Sequence, residues 1–292
     1  MKLVPAPSGH QLLLIYRTEF LLYTPERCKL AAEWNHVQLG RTSQPTRSNL
    51  IHHALDRPLP FADATFDAIY SFHVVEHLTP RANERFISDA YRLLKPRGVY
   101  RISTPDLEFL ATEYLRCLRA HLAAESTDNY ARYRWAVCNL IDQCTRQESG
   151  GEMLKVIKRG EFVSEHVKHM NGDLLRFLFP PSSPTSPPGP RPTNGQDPTT
   201  STISLGRVAR AIKWRLSRLM PRKSFLELIH EKNLWLFDRV SLPRLFSHAN
   251  FRDITLLDHR SSAIPSWNRY NFDESAFGSY PLEPSLYVEG TK

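Results

Sequence analysis

Short apolar runs rich in β-branched and aromatic residues recur at Phe20–Tyr23, Trp34–Leu39, Asn49–Ala54, Phe66–Phe72, Val99–Ser103, Asp253–Asp258 and Ser285–Glu289. Runs of this length between turn residues predict buried strands. Between the fourth and fifth lies TPRANERFISDAYRLLKPRG. There Phe86, Ile87, Ala90, Leu93 and Leu94 form a stripe at helical spacing. Thr79 is suited to cap the first turn, Pro80 to occupy the first helical position, and Pro96 with Gly98 to end the helix. Strand, helix and strand in that order make a parallel crossover, so the N-terminal third reads as α/β with a buried sheet. Residues 106–178 are mostly helical in pattern, and strands return at the C-terminal end. The division that follows is 1–105 as the first part of the α/β domain, 106–179 as a helical insertion, 180–204 as a linker, 205–223 as a separate helix, and 224–292 as the rest of the α/β domain.

The linker stands out by composition. Residues 180–204 hold eight prolines among Ser, Thr and Gly, too little apolar surface to offset the entropy of ordering them. Residues 207–223, RVARAIKWRLSRLMPRK, then carry seven basic residues and no acidic one. Leu205, Val208, Ile212, Leu216 and Leu219 give that segment an apolar stripe, so it predicts a basic amphipathic helix. The chain has 292 residues and a formal charge of +8. The basic segment accounts for +7 of it, leaving a net +1 on the other 275 residues. The readings open for this helix are an anionic membrane surface, which Trp214 suits, and a solvated face beside a linker. Nucleic acid is disfavoured, since no DNA- or RNA-binding motif accompanies the charge.

The remaining composition narrows the classes. Hydrophobic residues make up 41% and charged residues 23%, an ordinary globular balance. Cys28, Cys117, Cys138 and Cys144 have no CxxC spacing, which disfavours a disulfide scaffold and a zinc site. Of the histidines, His166 and His169 lie three apart on one helix face, yet no carboxylate or Cys frame is evident beside them. Surface positions and no metal are the expectation. No membrane-spanning run or convincing leader is present, so a cytoplasmic address is expected. Neither GxSxG, a P-loop nor HExxH occurs.

The segments LPFADATFDAIYSFHVVEHL and RLLKPRGVYRISTPDL, within Pro58–Asp106, resemble class I S-adenosylmethionine-dependent methyltransferases of the type-11 domain family. IDQCTRQESGGEM (Ile141–Met153), LWLFDRVSLPRLF (Leu234–Phe246) and PSLYVEGTK (Pro284–Lys292) extend the likeness to a bacterial subgroup often found near glycan-assembly enzymes. The resemblance implies a doubly wound, Rossmann-like seven-stranded sheet whose last strand runs antiparallel. S-adenosylmethionine would lie across the carboxyl ends of the first strands. It also implies methyl transfer to a small-molecule or carbohydrate-type acceptor.

Family cofactor devices map onto unusual residues here. The Gly-rich turn after the first strand aligns with Tyr23–Lys29, including Thr24, Pro25 and Glu26, and holds no glycine. The acid that ends the second strand and takes the ribose aligns with Gln38, and the third-strand Asp with Ala54, followed by Leu55. Gln38 offers a neutral hydrogen-bonding group where a carboxylate is usual. Ser71 and Phe72, closing the fourth strand, complete the expected cofactor wall. A non-catalytic relative that keeps the fold but binds without turnover is the competing expectation. His73 and His77 are the catalytic candidates, because imidazole has an unperturbed pKa near 6.5 and an acceptor that loses a proton needs a base. Glu76 between them suits a brace for the turn. Asp142, Gln143, Arg146 and Glu152, around Gly150 and Gly151, are the expected acceptor-binding residues on the insertion. Trp235, Asp238 and Arg239 read as structural.

Overall fold

Seven strands form one sheet in the order β3-β2-β1-β4-β5-β7-β6. They are β1 Leu12–Tyr16, β2 Asn35–Leu39, β3 Leu50–His53, β4 Phe66–Phe72, β5 Leu94–Pro105, β6 Arg252–Leu257 and β7 Ser285–Thr291. This computed structural model describes residues 9–16, 29–39, 50–53, 57–147, 150–173, 232–270, 272–275 and 281–292. The expected strand Phe20–Tyr23, the candidates Thr24, Pro25, Glu26, Ala54 and Leu55, the linker 180–204 and the basic helix lie outside the described residues. All pairings are parallel except the two made by β7, which runs antiparallel to both β5 and β6. The doubly wound sheet with an antiparallel last strand is therefore observed.

Two strand boundaries differ from the sequence reading. The strand between β2 and β4 is β1, Leu12–Tyr16, a run outside the expected strands. All five of its residues are buried, as a strand covered on both faces requires. The fifth strand begins at Leu94 rather than Val99. Phe66 pairs with Leu94 and Ala68 with Val99, so extra residues loop out at Lys95–Gly98 before the ladder resumes. Arg97 takes a φ of +66° there.

Alternation along the strands sorts side chains into two cores. Leu13, Ile15, Ile69, Tyr100, Ile102 and Val288 face one layer, which contains α1 (Pro80–Leu93). Thr79 caps α1 by accepting from the Ala82 amide, with Pro80 behind it, as the sequence predicts. Leu12, Leu14, Tyr16, Ala68 and Tyr70 face the other layer with Trp34, Trp267 and Phe272. A third core binds the helical insertion, built from α2 (Leu107–Ala123), α3 (Thr127–Val137), α4 (Gly151–Arg159) and α5 (Ser164–Asn171). Among the described residues, no helix is long and apolar enough to cross a membrane.

Arg101, in the middle of β5, is completely buried beneath the second layer. Its guanidinium donates to Asp273 at 2.8 Å and to Glu289 at 2.9 Å. It also donates to the carbonyls of Ser261 and Asp258, each at 2.9 Å. Trp267 and Tyr287 cover it, at 4.7 and 5.0 Å from their ring centres.

The insertion meets the segment ahead of β7 at a close contact. Gly172, just after α5, has a φ of +54°, and a Cβ there would lie 2.1 Å from the Leu282 carbonyl oxygen. The next amide, Asp173, donates to that same oxygen at 2.9 Å. Gly172→Ala is expected to lower stability by about 2–4 kcal/mol, combining backbone strain with a displaced neighbour. Urea unfolding monitored by tryptophan fluorescence checks this, and an unchanged midpoint would mean the contact yields at no cost.

Candidate functional site

In a sheet of this order the direction of winding reverses between the parallel neighbours β1 and β4. The crevice for a ligand in such sheets lies outside the carboxyl ends at that switch point. Tyr16, Gln38 and Phe72 stand there, with Tyr16 in register with both Gln38 and Phe72. Gln38 is buried, in the place the family's ribose-binding acid would take. Its amide can accept and donate, so it fits a ribose hydroxyl. Ser71 is turned inward, its hydroxyl 2.9 Å from the Tyr100 phenol. Phe72 is almost fully buried and its ring lies 4.6 Å from the His73 imidazole. The chain that follows β1, residues 17–28, contains no glycine.

A buried charge cluster adjoins Phe72. His73 takes a φ of +47°, and its amide donates to the Ser103 carbonyl at 3.0 Å, fixing the turn against β5. Its Nδ1 lies 3.1 Å from Glu76 Oε1, and its Nε2 lies 3.0 Å from Ser285 Oγ and 3.9 Å from Glu283 Oε2. Thr104 donates to the second Glu76 oxygen at 3.1 Å. His77 Nε2 is 3.9 Å from Glu76, while its Nδ1 is 3.2 Å from the Lys232 carbonyl. The backbone carbonyl of Glu76 accepts from the amides of Leu234 and Trp235 at 2.7 and 3.1 Å. The LWLFD segment thus runs as a strap over this turn. It continues to Asp238, whose carboxylate caps α6 (Ser241–His248) through the Ser241 amide at 2.7 Å.

Charge sets the chemistry of these groups. Desolvation favours neutral His73, but the carboxylates of Glu283 and Glu76 outweigh it and push the imidazole up to about 9. Glu76 is held below the ordinary carboxylate range: burial opposes this, but the His73 charge and hydrogen bond prevail. Glu283 is pushed up, chiefly by burial, with His73 acting the other way. At neutral pH, then, His73 is a cation with both ring nitrogens engaged. An imidazolium has no lone pair to offer, so in this charge state His73 anchors Glu76 and Glu283 rather than acting as a base.

The expected acceptor residues cluster at one corner of the insertion. Asp142 accepts from the amides of Glu152 and Met153 at 2.9 and 3.2 Å and from Arg146 Nη2 at 3.1 Å. It thereby caps α4, whose first residue Gly151 has a φ of +51° and no room for a Cβ beside that carboxylate. Gln143 donates to Asn139 Oδ1 at 3.2 Å. Glu152 is paired with Lys155 at 2.6 Å on the surface. The corner meets the start of the strap, where the Gln143 carbonyl accepts from the Asn233 amide at 2.7 Å.

Three site features escaped the sequence reading. Glu283 and Ser285 lie more than two hundred residues from His73, and only the segment PSLYVEGTK hinted that this end mattered. Thr104 sat inside a recognised motif without a role. His166, expected on the surface, is buried with Cys117 and Glu113.

Residues 25–102 match the family described as "Methyltransferase domain". A curated protein of Mycolicibacterium smegmatis named "probable S-adenosylmethionine-dependent methyltransferase" is 41% identical over 56 residues, 19% of this chain and 21% of its own. The matched stretch thus spans about a fifth of that relative's length. Two solved structures are similar at lower identity. A SAM-dependent methyltransferase from Archaeoglobus fulgidus shares 12% identity over 97% of this chain and 87% of its own, with a TM-score of 0.39. An S-adenosylmethionine-dependent methyltransferase from Mesorhizobium loti shares 17% over 38% of this chain and 52% of its own, with a TM-score of 0.27.

Proposed function

We propose that this chain, which carries a methyltransferase domain of the type-11 family over residues 25–102, moves a methyl group from S-adenosylmethionine to a small-molecule or carbohydrate-type acceptor. The observation that carries the reading is a buried, charged cluster built where the switch-point crevice opens, beside Tyr16, Gln38 and Phe72. When bound, the cofactor supplies an electrophilic methyl carbon. Gln38 would hold the ribose, and the Phe72–His73 turn would form the wall nearest the reacting group. Direct displacement at a methyl group depends chiefly on alignment, with a base needed only where the acceptor loses a proton.

The carboxylates divide the work. Glu76 is sealed in and fixes imidazolium His73, which in turn orients Ser285 and Glu283. Glu283 is a quarter exposed, the most open member of the cluster. Its elevated pKa makes it a better proton acceptor than an ordinary surface carboxylate. His77 flanks the same turn under the strap. Glu283→Gln is expected to lower kcat by about 10²- to 10⁴-fold while leaving S-adenosylmethionine affinity unchanged. Turnover and calorimetry on the same preparation check it, and equal kcat would remove Glu283 from the reaction.

One observation favours a second reading. Residues 17–28 contain no glycine, Gln38 is neutral, and Ala54 stands where the family has an Asp, so three family contacts with the cofactor are missing from the sequence. A binding protein without turnover would tolerate all three changes. Isothermal titration of the full chain with S-adenosylmethionine and S-adenosylhomocysteine separates the two. Heat with micromolar affinity is the expected result. No heat at high micromolar cofactor would leave the non-catalytic reading standing.

A further inference from the structure

The insertion brings three metal-ligating side chains together, with a fourth beside them, away from the charge cluster. Glu113 and Cys117 are four apart on α2, and His166 and His169 are three apart on α5, so each pair shares a helix face. The ligand atoms of Glu113, Cys117 and His166 all lie within 4.8 Å of one another, and all three residues are buried. Cys117 Sγ is 3.6 Å from His166 Nε2. Glu113 Oε1 is 3.3 Å from His169 Nε2. In a tetrahedral zinc site, bonds of about 2.3 Å to sulfur and 2.0–2.2 Å to nitrogen or oxygen set the edges. The sulfur–nitrogen edge comes to about 3.6 Å and the oxygen–nitrogen edge to about 3.4 Å on those bond lengths. The sulfur–nitrogen separation matches a single central ion, while His169 stands against Glu113 outside the three-residue group.

We propose that Glu113, Cys117 and His166 bind one divalent cation of the zinc class, clasping α2 to α5, with His169 beside Glu113 at the open fourth side. The donor set of one thiolate, one imidazole and one carboxylate is borderline in softness. It suits zinc above magnesium or calcium, which take oxygen ligands. His169, half exposed, stands on the solvent side, while Cys117 and His166 close the inner side. Arg116 now holds Glu113 through both carboxylate oxygens. It is itself half exposed, so it can swing to solvent when the ion takes one of those oxygens. Neither helix makes a site alone; the packing of α2 against α5 does. The bound ion would fix α5, and through Gly172 the chain that meets Leu282, next to Glu283.

Cobalt(II) is the probe, because a thiolate ligand gives it a charge-transfer band in the near ultraviolet. The full chain, stripped with a chelator and dialysed, is titrated with cobalt and then with zinc. One equivalent of cobalt with that band, displaced by zinc, is expected. Cys117→Ser should abolish the band, and Glu113→Gln should weaken cobalt binding at least ten-fold. Absence of the band in the unaltered chain would overturn the proposal. So would its persistence in Cys117→Ser, which would trace it to another cysteine. Should Cys117→Ser lose its native circular dichroism, the near-isosteric variant decides: unchanged cobalt affinity in Glu113→Gln overturns the site.

Discussion

Arg101→Met is expected to lower the free energy of unfolding by about 3–5 kcal/mol, the cost of stranding buried charge after its partner is removed. For a chain of this size that corresponds to a fall in Tm of roughly 10 °C. The reason is the company the guanidinium keeps. Asp273 is wholly buried and Glu289 almost so, and both turn a carboxylate oxygen toward Arg101. Methionine fills much of the same volume between Trp267 and Tyr287, so lost packing is a minor part of the effect. Two anions without a counter-charge in a low-dielectric setting are the major part. A triple variant, Arg101→Met with Asp273→Asn and Glu289→Gln, separates the two terms. It should recover a large share of the loss in urea unfolding. If it is no more stable than Arg101→Met alone, packing and the carbonyl contacts to Ser261 and Asp258 account for the arginine instead.

The second large effect concerns pH. His73 has a folded pKa of about 9 against an ordinary value of 6.5. Its contribution to stability is therefore complete below about 6.5 and is lost as pH rises through about 9. At about 1.36 kcal/mol per unit, the shift sets a ceiling near 3 kcal/mol. Glu76 acts at the other end: its stabilising charge is present above its ordinary pKa and fades as acid protonates it in the fold. Glu283, pushed up by burial, opposes this in part, because ionising it costs the fold some stability. His73→Gln removes the imidazolium and is expected to cost about 2–4 kcal/mol at pH 7, leaving Glu76 buried with its cation gone. The unaltered chain should lose stability between pH 6.5 and 9.5, and the variant should start lower and stay flat. Parallel curves for the two in urea unfolding would show that His73 is neutral in the fold.

How far the sequence could carry these conclusions depended on how local each signal was. The β4–α1–β5 unit was readable because its cap, apolar stripe and stop signals all lie within one stretch of chain. The first strand was misplaced for a physical reason. LLLIY and FLLY are both short apolar runs with the same β preference, and periodicity alone does not choose between two such runs. A glycine turn, the usual anchor, was missing. His73 and His77 were found from their position after β4, yet the protonation state of His73 was not legible. It depends on Glu283, which reaches the site from the far end of the chain. Arg101 stood in a recognised motif as one more charged residue, since its two acids come from 172 and 188 residues away. The Glu113–Cys117 and His166–His169 pairs were each visible at helical spacing. Their meeting was not, because it follows from how two helices pack.

The position of β7 also sets a timetable for synthesis. It fills the place between β5 and β6, so β5 has no neighbour on that side until the chain has been made through Thr291. At roughly 5–20 residues per second, β5 waits on the order of ten to forty seconds after leaving the ribosome. During that interval a long strand with apolar side chains presents a bare ladder of amides and carbonyls, the surface that recruits other chains. Arg101 lies in the middle of that bare strand, charged and still hydrated; Asp273 is made shortly before the covering strand, and Glu289 arrives on it. The group that later holds the finished sheet together serves, while the sheet is open, as a charge that keeps the edge from pairing with a stranger.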